Sequence, residues 1–164
     1  MESGKVARLV QVGIRTLNAH QRAQAERFSV EVHEMRHGLD IGKLRLDGPV
    51  YLTLDLDALD PAFAPGVSHH EPGGLSTREV LTIIQEFSGR LVGADLVELN
   101  PERDINEVSA MVAAKLAKEI MARLIATARS QLHDQNPGLP GLGTLLKPPV
   151  ALSVKGLYLE LESS

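Results

Sequence analysis

Two aspartates at the end of an apolar run are the residues of this sequence best suited to chemistry. Asp55 and Asp57 lie two residues apart where the alternating run Pro49–Leu56 (PVYLTLDL) ends. Residues two apart on a strand point to the same face, so we predict that both carboxylates leave that face together. Neighbouring carboxylates repel each other, and a divalent cation removes the repulsion. The pair predicts a site of hard oxygen ligands, the kind that binds Mg, Mn or Ca.

Other candidate residues lie near this pair in the predicted sheet. Glu98 ends the next apolar run, Leu91–Leu99, and a carboxylate there can accept two hydrogen bonds from a planar guanidinium. Asp95, on the opposite face of that run, is expected to accept hydrogen bonds as a supporting residue. His69 and His70 lie in the loop expected to rim the site. The alternative for all of these is a solvated turn or loop residue.

The order of elements predicts an α/β fold. Apolar runs typical of strands alternate with helical patterns, which predicts a mostly parallel sheet with helices on its faces. Asn18 is a candidate cap for the first helix, Ser76–Glu79 (STRE) is a capping box for the second, and Asp104–Glu107 (DINE) is expected to open a long third helix in the same way. The predicted strands are Val6–Gly13, Ser29–Met35, Pro49–Leu56 and Leu91–Leu99.

Composition excludes several classes of protein. The chain has 164 residues, no cysteine and a net charge of −4, with 3% aromatic residues. We therefore expect no disulfide framework, no thiolate metal site and no nucleic-acid partner. No apolar run is long enough to span a bilayer and no signal peptide is apparent, which predicts a cytoplasmic protein without a membrane partner. We divide the chain into an α/β domain, 1–126, and a tail, 127–164, that can hold a late strand or helix.

The run LDLDALDP occupies residues 54–61, directly after Thr53. Five more motifs are VGIR at 12–15, APGV at 64–67, VSHHEPGG at 67–74, GGLS at 73–76 and VELNP at 97–101. Together the six motifs resemble the arginase/agmatinase (ureohydrolase) family, whose signature S-x-D-x-D-x-x-D-P is matched with Thr53 in the serine position. The stretch VSHHEPGG resembles plant-type arginases and related bacterial enzymes in particular. The resemblance implies a three-layer α/β/α sandwich, of which this chain would be the incomplete carboxyl-terminal half.

The resemblance also implies a function and a role for each candidate. It implies a manganese-dependent amidinohydrolase with two Mn²⁺ ions, in which a metal-bound hydroxide attacks the guanidinium carbon of arginine or agmatine and urea is released. A homo-oligomer, a trimer or hexamer, is expected. Asp55 would bridge both ions, Asp57 would bind one, Glu98 would hold the guanidinium, Asp95 would support the metal shell, His69 would line the pocket mouth and Asn18 would lie near the amino-acid end of the substrate.

Two alternatives stay open. The family's Gly-Gly-x-His and Asp-Ala-His-x-Asp segments, which supply the other metal ligands, do not occur in this sequence. The chain would then be a non-catalytic half-domain that binds metal weakly or associates with full-length subunits. A phosphotransferase of the haloacid-dehalogenase type also begins with Asp-x-Asp, but it requires Thr or Val where this sequence has Leu59.

Overall fold

The computed structural model describes residues 5–40, 42, 44–134 and 148–156. Five strands form its sheet: β1 (Arg8–Ile14), β2 (Glu31–Glu34), β3 (Pro49–Asp55), β4 (Arg90–Val97) and β5 (Val150–Val154). Three α-helices accompany them: α1 (Ala19–Arg27), α2 (Thr77–Glu86) and α3 (Val108–Asp134). Short 3₁₀ turns cover Met35–His37, Leu56–Ala58 and Pro101–Arg103.

The strand order is β2-β1-β5-β3-β4, and every neighbouring pair is parallel. The chain moves outward from β1 to β2 in one direction and from β3 to β4 in the other. Right-handed crossovers therefore place α1 and α2 on opposite faces of the sheet. The predicted α/β fold with a parallel sheet is confirmed. Its order reverses around β5, and ligands of open α/β sheets bind at the carboxyl ends of strands beside such a reversal.

The central strand comes from the region predicted to be a tail. β5 lies between β1 and β3, with Val150, Leu152 and Val154 buried. The proposed division between 126 and 127 has no counterpart in the described residues, because α3 continues through it to Asp134 and β5 belongs to the same sheet as β1. Strand pairing depends on residues far apart along the chain, which a local pattern does not report.

Helix α2 begins and packs as its sequence predicts. Ser76 and Glu79 form the reciprocal capping box: the Glu79 N–H donates to the Ser76 hydroxyl at 3.2 Å, and the Ser76 N–H donates to the Glu79 carboxylate at 2.7 Å. The apolar stripe behind the cap is buried, and Leu116 of α3 is buried in the same core. In the described part of the chain, no helix combines the length and apolar character that crossing a membrane requires.

Helix α3 begins later than its predicted capping box. It starts at Val108, and Asn106 and Glu107 adopt positive φ angles of 51° and 59°, so Glu107 does not close the box. Asp104 instead reaches the first turn directly. Its two carboxylate oxygens accept the N–H groups of Ser109 and Ala110, each at 2.9 Å. The prediction of a box at 104–107 is wrong, although Asp104 still caps the helix.

Replacing Asp104 with Ala should lower the Tm of the protein at neutral pH, because two first-turn N–H groups lose their acceptor. Burial acts to raise the pKa of Asp104, but hydrogen bonds from Ser109 and Ala110 outweigh it and hold that pKa below its usual range. The stabilisation is therefore present above about pH 4 and is lost as the pH falls through the lower folded-state pKa. The Tm difference should shrink below about pH 4, and Asp47→Ala, at an exposed site, serves as the control. A difference that stays constant into strong acid would contradict this.

Candidate active site

The aspartate pair lies where β3 turns into a 3₁₀ segment. The strand ends at Asp55, and Asp57 lies within the turn Leu56–Ala58, so the prediction that both carboxylates leave one face of a strand is wrong. The turn still brings them together. The Asp57 N–H donates to Oδ1 of Asp55 at 2.9 Å, and Asp57 is only 2% exposed.

Asp55 lies in the field of two other carboxylates. Burial raises its pKa, and the carboxylates of Asp57 and Glu98 raise it further, to about 7. Glu98 is the residue after β4, and Asp55 pairs in register with Val97 at the end of that strand. Glu98 adopts a positive φ of 67°, which ends the strand before it. The predicted neighbours Asp55, Asp57 and Glu98 thus meet at one edge of the sheet.

Asp95 lies on the half-exposed face of β3 and β4. It pairs in register with Thr53, accepts the Tyr51 hydroxyl at 3.0 Å and accepts the hydroxyl of Thr53. These bonds tie the two strands together beside Asp55. Asp95 is therefore the hydrogen-bond acceptor that its position in the sequence predicts, and its support of a metal shell stays a prediction.

The adjacent loop residues His69 and His70 have different surroundings. His70 is exposed, and its Nε2 donates to the Pro65 carbonyl at 2.6 Å, a hydrogen bond within the loop. His69 is half-buried, and its Nδ1 is buried without a hydrogen-bond partner among the described residues. A buried unpartnered ring nitrogen is a place where a ligand group can bond. The role of His69 at the pocket mouth stays a prediction.

Asn18 caps helix α1. Its side-chain oxygen accepts the Gln21 N–H at 2.8 Å, and the Gln21 side chain accepts the Asn18 N–H at 2.8 Å. The predicted cap is confirmed. The side-chain oxygen of Asn18 accepts a hydrogen bond from the helix, and the role of Asn18 near the amino-acid end of the substrate stays a prediction.

Arg15 is a site residue that the sequence analysis did not single out. It follows β1, its side chain is 5% exposed, and its guanidinium donates to the Asp57 carbonyl and, at 3.2 Å, to the Leu59 carbonyl. Its Nε lies 3.7 Å from a carboxylate oxygen of Glu71. Arg15 therefore holds the main chain that carries Asp57. Its place at the carboxyl end of β1, in the motif at 12–15, was the available signal.

The last strand contributes to the same edge. The Gly156 N–H donates to Oδ1 of Asp57 at 2.9 Å, and the Arg15 N–H donates to the Gly156 carbonyl at 3.0 Å. Lys155 follows β5 directly, and it is half-buried. Neither Lys155 nor Gly156 was predicted as a site residue, because both lie in the region expected to be a tail.

The donor set does not fit the predicted pair of manganese ions. Within the described ranges, no group of three or more His, Cys, Asp or Glu side chains is placed to hold a metal. Asp55 and Asp57 are two carboxylates, and one oxygen of each is already hydrogen-bonded within the chain. Two approximately octahedral ions need many more oxygen or nitrogen ligands than this. The described residues supply part of such a centre and not the whole.

Comparison with known proteins decides the family. The model of the Arginase family matches residues 1–122. The chain belongs to the arginase family. Its sequence is 50% identical over 134 residues to "Arginase 1, mitochondrial" of Arabidopsis thaliana, and 40% identical over 118 residues to an agmatinase of Chromobacterium violaceum. These alignments cover 76% and 68% of this chain. The resemblance drawn from the motifs is confirmed.

Solved structures agree with this membership. The arginase from Medicago truncatula matches with a TM-score of 0.70 and 46% identity, over 75% of this chain and 42% of that one. A triple mutant of a T. brucei arginase-like protein, bound with Mn²⁺, matches with a TM-score of 0.66 and 28% identity, over 75% of this chain and 44% of that one. A protein of similar fold, in this triple-mutant form, therefore binds manganese.

The comparisons also bear on length and location. The chain spans 39% of the length of the Arabidopsis arginase and 36% of the Chromobacterium agmatinase. The predicted cytoplasmic location is wrong, because similar relatives are named as mitochondrial arginases and one as chloroplastic and mitochondrial. Composition could not reveal this, since neither the lack of cysteine nor a modest net charge identifies a compartment.

Proposed function

We propose that this chain is the carboxylate-bearing part of a ureohydrolase that cleaves the guanidinium group of arginine or agmatine and releases urea. The observation that carries the proposal is the meeting of Asp55, Asp57 and Glu98 at the carboxyl edge of β3 and β4. Three carboxylates at one edge suit a cationic substrate and a cationic cofactor. In this proposal the Glu98 carboxylate accepts two N–H groups of the planar guanidinium and orients it.

Manganese is the proposed cofactor, supported by the Mn²⁺ bound to the triple mutant of the T. brucei arginase-like protein. Asp55 and Asp57 would be two of its ligands, and the other ligands would come from residues beyond those described here. Arginine is the first substrate to test, because the relatives at 45–50% identity are named arginases while the agmatinases match at 40–44%. Since the chain spans 39% of the length of the Arabidopsis arginase, we expect it to hold only part of the catalytic site.

The second candidate is a half-domain without catalytic activity that associates with full-length subunits. The incomplete donor set favours it. The two proposals differ in one respect that can be measured: whether the residues of this chain support catalysis once the rest of the site is present.

A chimaera separates the two candidates. The segment of this chain that aligns with Medicago arginase replaces its counterpart in that enzyme, and urea release from arginine and from agmatine is measured with Mn²⁺. We expect urea release from at least one substrate, and Asp55→Asn should reduce its rate by more than about 100-fold. Loss of a residue that only supports a metal ligand lowers activity by about 10–100-fold, and loss of the ligand itself should cost more. Asp47→Asn, at an exposed position, should leave the rate unchanged.

The isolated chain completes the test. With Mn²⁺ present, we expect it to release no urea, because its donor set is partial. A folded chimaera that hydrolyses neither substrate would overturn the ureohydrolase proposal and leave the half-domain. Urea from the isolated chain, abolished by Asp55→Asn, would show instead that the site completes itself.

A further inference from the structure

The carboxylate pair already has a cationic neighbour within this chain. The register of β3 with β5 pairs Leu54 with Val154, so Lys155 follows on the adjacent strand at the level of Asp55. Adjacent strands lie about 4.8 Å apart, which brings a lysine side chain within reach of an aspartate beside it. Burial lowers the pKa of Lys155, while Asp55 and Asp57 both act to raise it, so the ammonium lies in the field of both carboxylates.

The backbone around Lys155 fixes this arrangement. The Lys155 N–H donates to the Val12 carbonyl at 2.9 Å, and the next N–H, that of Gly156, donates to the Asp57 carboxylate at 2.9 Å. A Cβ at Gly156 would overlap the Arg15 guanidinium and would lie 2.5 Å from the Asp57 carbonyl oxygen. The end of β5 is therefore fitted against the turn that carries Asp57, and a glycine is required there.

Partly buried carboxylates at close range repel each other, and positive charge or hydrogen-bond donors beside them stabilise the pair. A metal ion would supply this stabilisation in a complete centre. In the described residues the Asp57 N–H donates to Asp55, and the end of β5 adds the Lys155 ammonium and the Gly156 N–H, which donates to Asp57. Because the end of β5 supplies these groups, Asp55 and Asp57 can lie side by side although too few metal ligands surround them.

We propose that Lys155 and Gly156, at the end of β5, occupy the cation position at Asp55 and Asp57, so that this chain folds without metal and excludes Mn²⁺ from the pair. The inference concerns the folded state of the isolated chain and does not depend on the proposed function. Entry of Mn²⁺ would require the ammonium to withdraw and the Gly156 hydrogen bond to break.

Thermal unfolding of the full chain tests the first consequence. We expect the same Tm in EDTA and in millimolar MnCl₂, and no saturable Mn²⁺ binding by titration calorimetry. A Tm that rises with MnCl₂, falls again with EDTA and ceases to respond in Asp55→Asn would overturn the proposal.

Substitution of the lysine tests the second consequence. Lys155→Met should lower the Tm in EDTA and create a rise of Tm with MnCl₂, because the carboxylates then lack their cation. Lys118→Met, at an exposed position on α3, should do neither. Adding Asp55→Asn to Lys155→Met should recover part of the lost Tm, since the repulsion between carboxylates is removed. A Lys155→Met chain that folds with unchanged Tm and no response to MnCl₂ contradicts the proposal.

Chemical labelling gives a result even if Lys155→Met fails to fold. In the unmodified full chain, acetic anhydride should acetylate Lys155 several-fold more slowly than the exposed Lys118, as measured by mass spectrometry. Adding MnCl₂ should leave that ratio unchanged, because the metal does not displace the ammonium. Equal rates for the two lysines, or faster labelling of Lys155 with MnCl₂, would overturn the proposal.

Discussion

A chain carrying Leu152→Asp should show no cooperative unfolding transition at 25 °C. Leu152 is fully buried at the centre of the sheet, paired with Val10 on one side and Leu52 on the other. Truncating such a leucine costs about 2–5 kcal/mol, and an unpaired carboxylate in its place adds several kcal/mol more. The sum is comparable to the whole stability of a domain, about 5–15 kcal/mol.

Urea denaturation followed by far-UV circular dichroism measures this result. Met121→Asp places the same charge on α3 at a residue that is 53% exposed, and it should keep a transition close to that of the parent chain. If Leu152→Asp unfolds with the midpoint of Met121→Asp, β5 is not the central strand of the protein in solution.

Arg15→Ala should lower the free energy of unfolding by about 2–4 kcal/mol. Its guanidinium donates to the carbonyls of Asp57 and Leu59, and hydrogen bonds to charged groups are worth about 1.5–3 kcal/mol each before the site relaxes. Removal also leaves Glu71 without its cation. Because the planar guanidinium spans two carbonyls at once, Arg15→Lys should recover less than half of the loss.

Arg36→Ala is the matched control for Arg15. Arg36 also pairs with a carboxylate, that of Glu34, but its side chain is 60% exposed, so its loss should cost no more than about 1 kcal/mol. Urea midpoints of Arg15→Ala, Arg15→Lys and Arg36→Ala decide the comparison. Equal midpoints for Arg15→Ala and Arg36→Ala would mean that the turn holding Asp57 is stable without the guanidinium.

Local signals account for the parts of the fold that the sequence predicts well. The caps at Asn18 and Ser76 lie within three residues of their partners, and the four early strands follow from short runs that are apolar or alternating. The motif containing Asp55 and Asp57 led to the correct family and the correct edge of the sheet. These features depend on residues close together in the chain, which a sequence pattern reports directly.

The errors have equally physical causes. Alternation continues from β3 into Leu56–Ala58, so it could not distinguish a strand from a 3₁₀ turn at Asp57. The spacing at 104–107 matches a capping box, but positive φ angles at Asn106 and Glu107 move the helix start. Lys155 becomes a site residue only through the pairing of β5 with β3, which joins segments about a hundred residues apart.

The central position of β5 imposes an order on folding. Arg8 pairs with Val150, and in the described part of the sheet β5 alone joins β1 to β3, so the sheet closes through contacts of very large sequence separation. Such topologies fold slowly, because the chain loses the entropy of closing long loops before the stabilising contacts form. During synthesis, β1 with β2 and β3 with β4 can form two separate ribbons, each with an open inner edge that can pair with another chain. Residues 150–154 must leave the ribosome before either edge is protected.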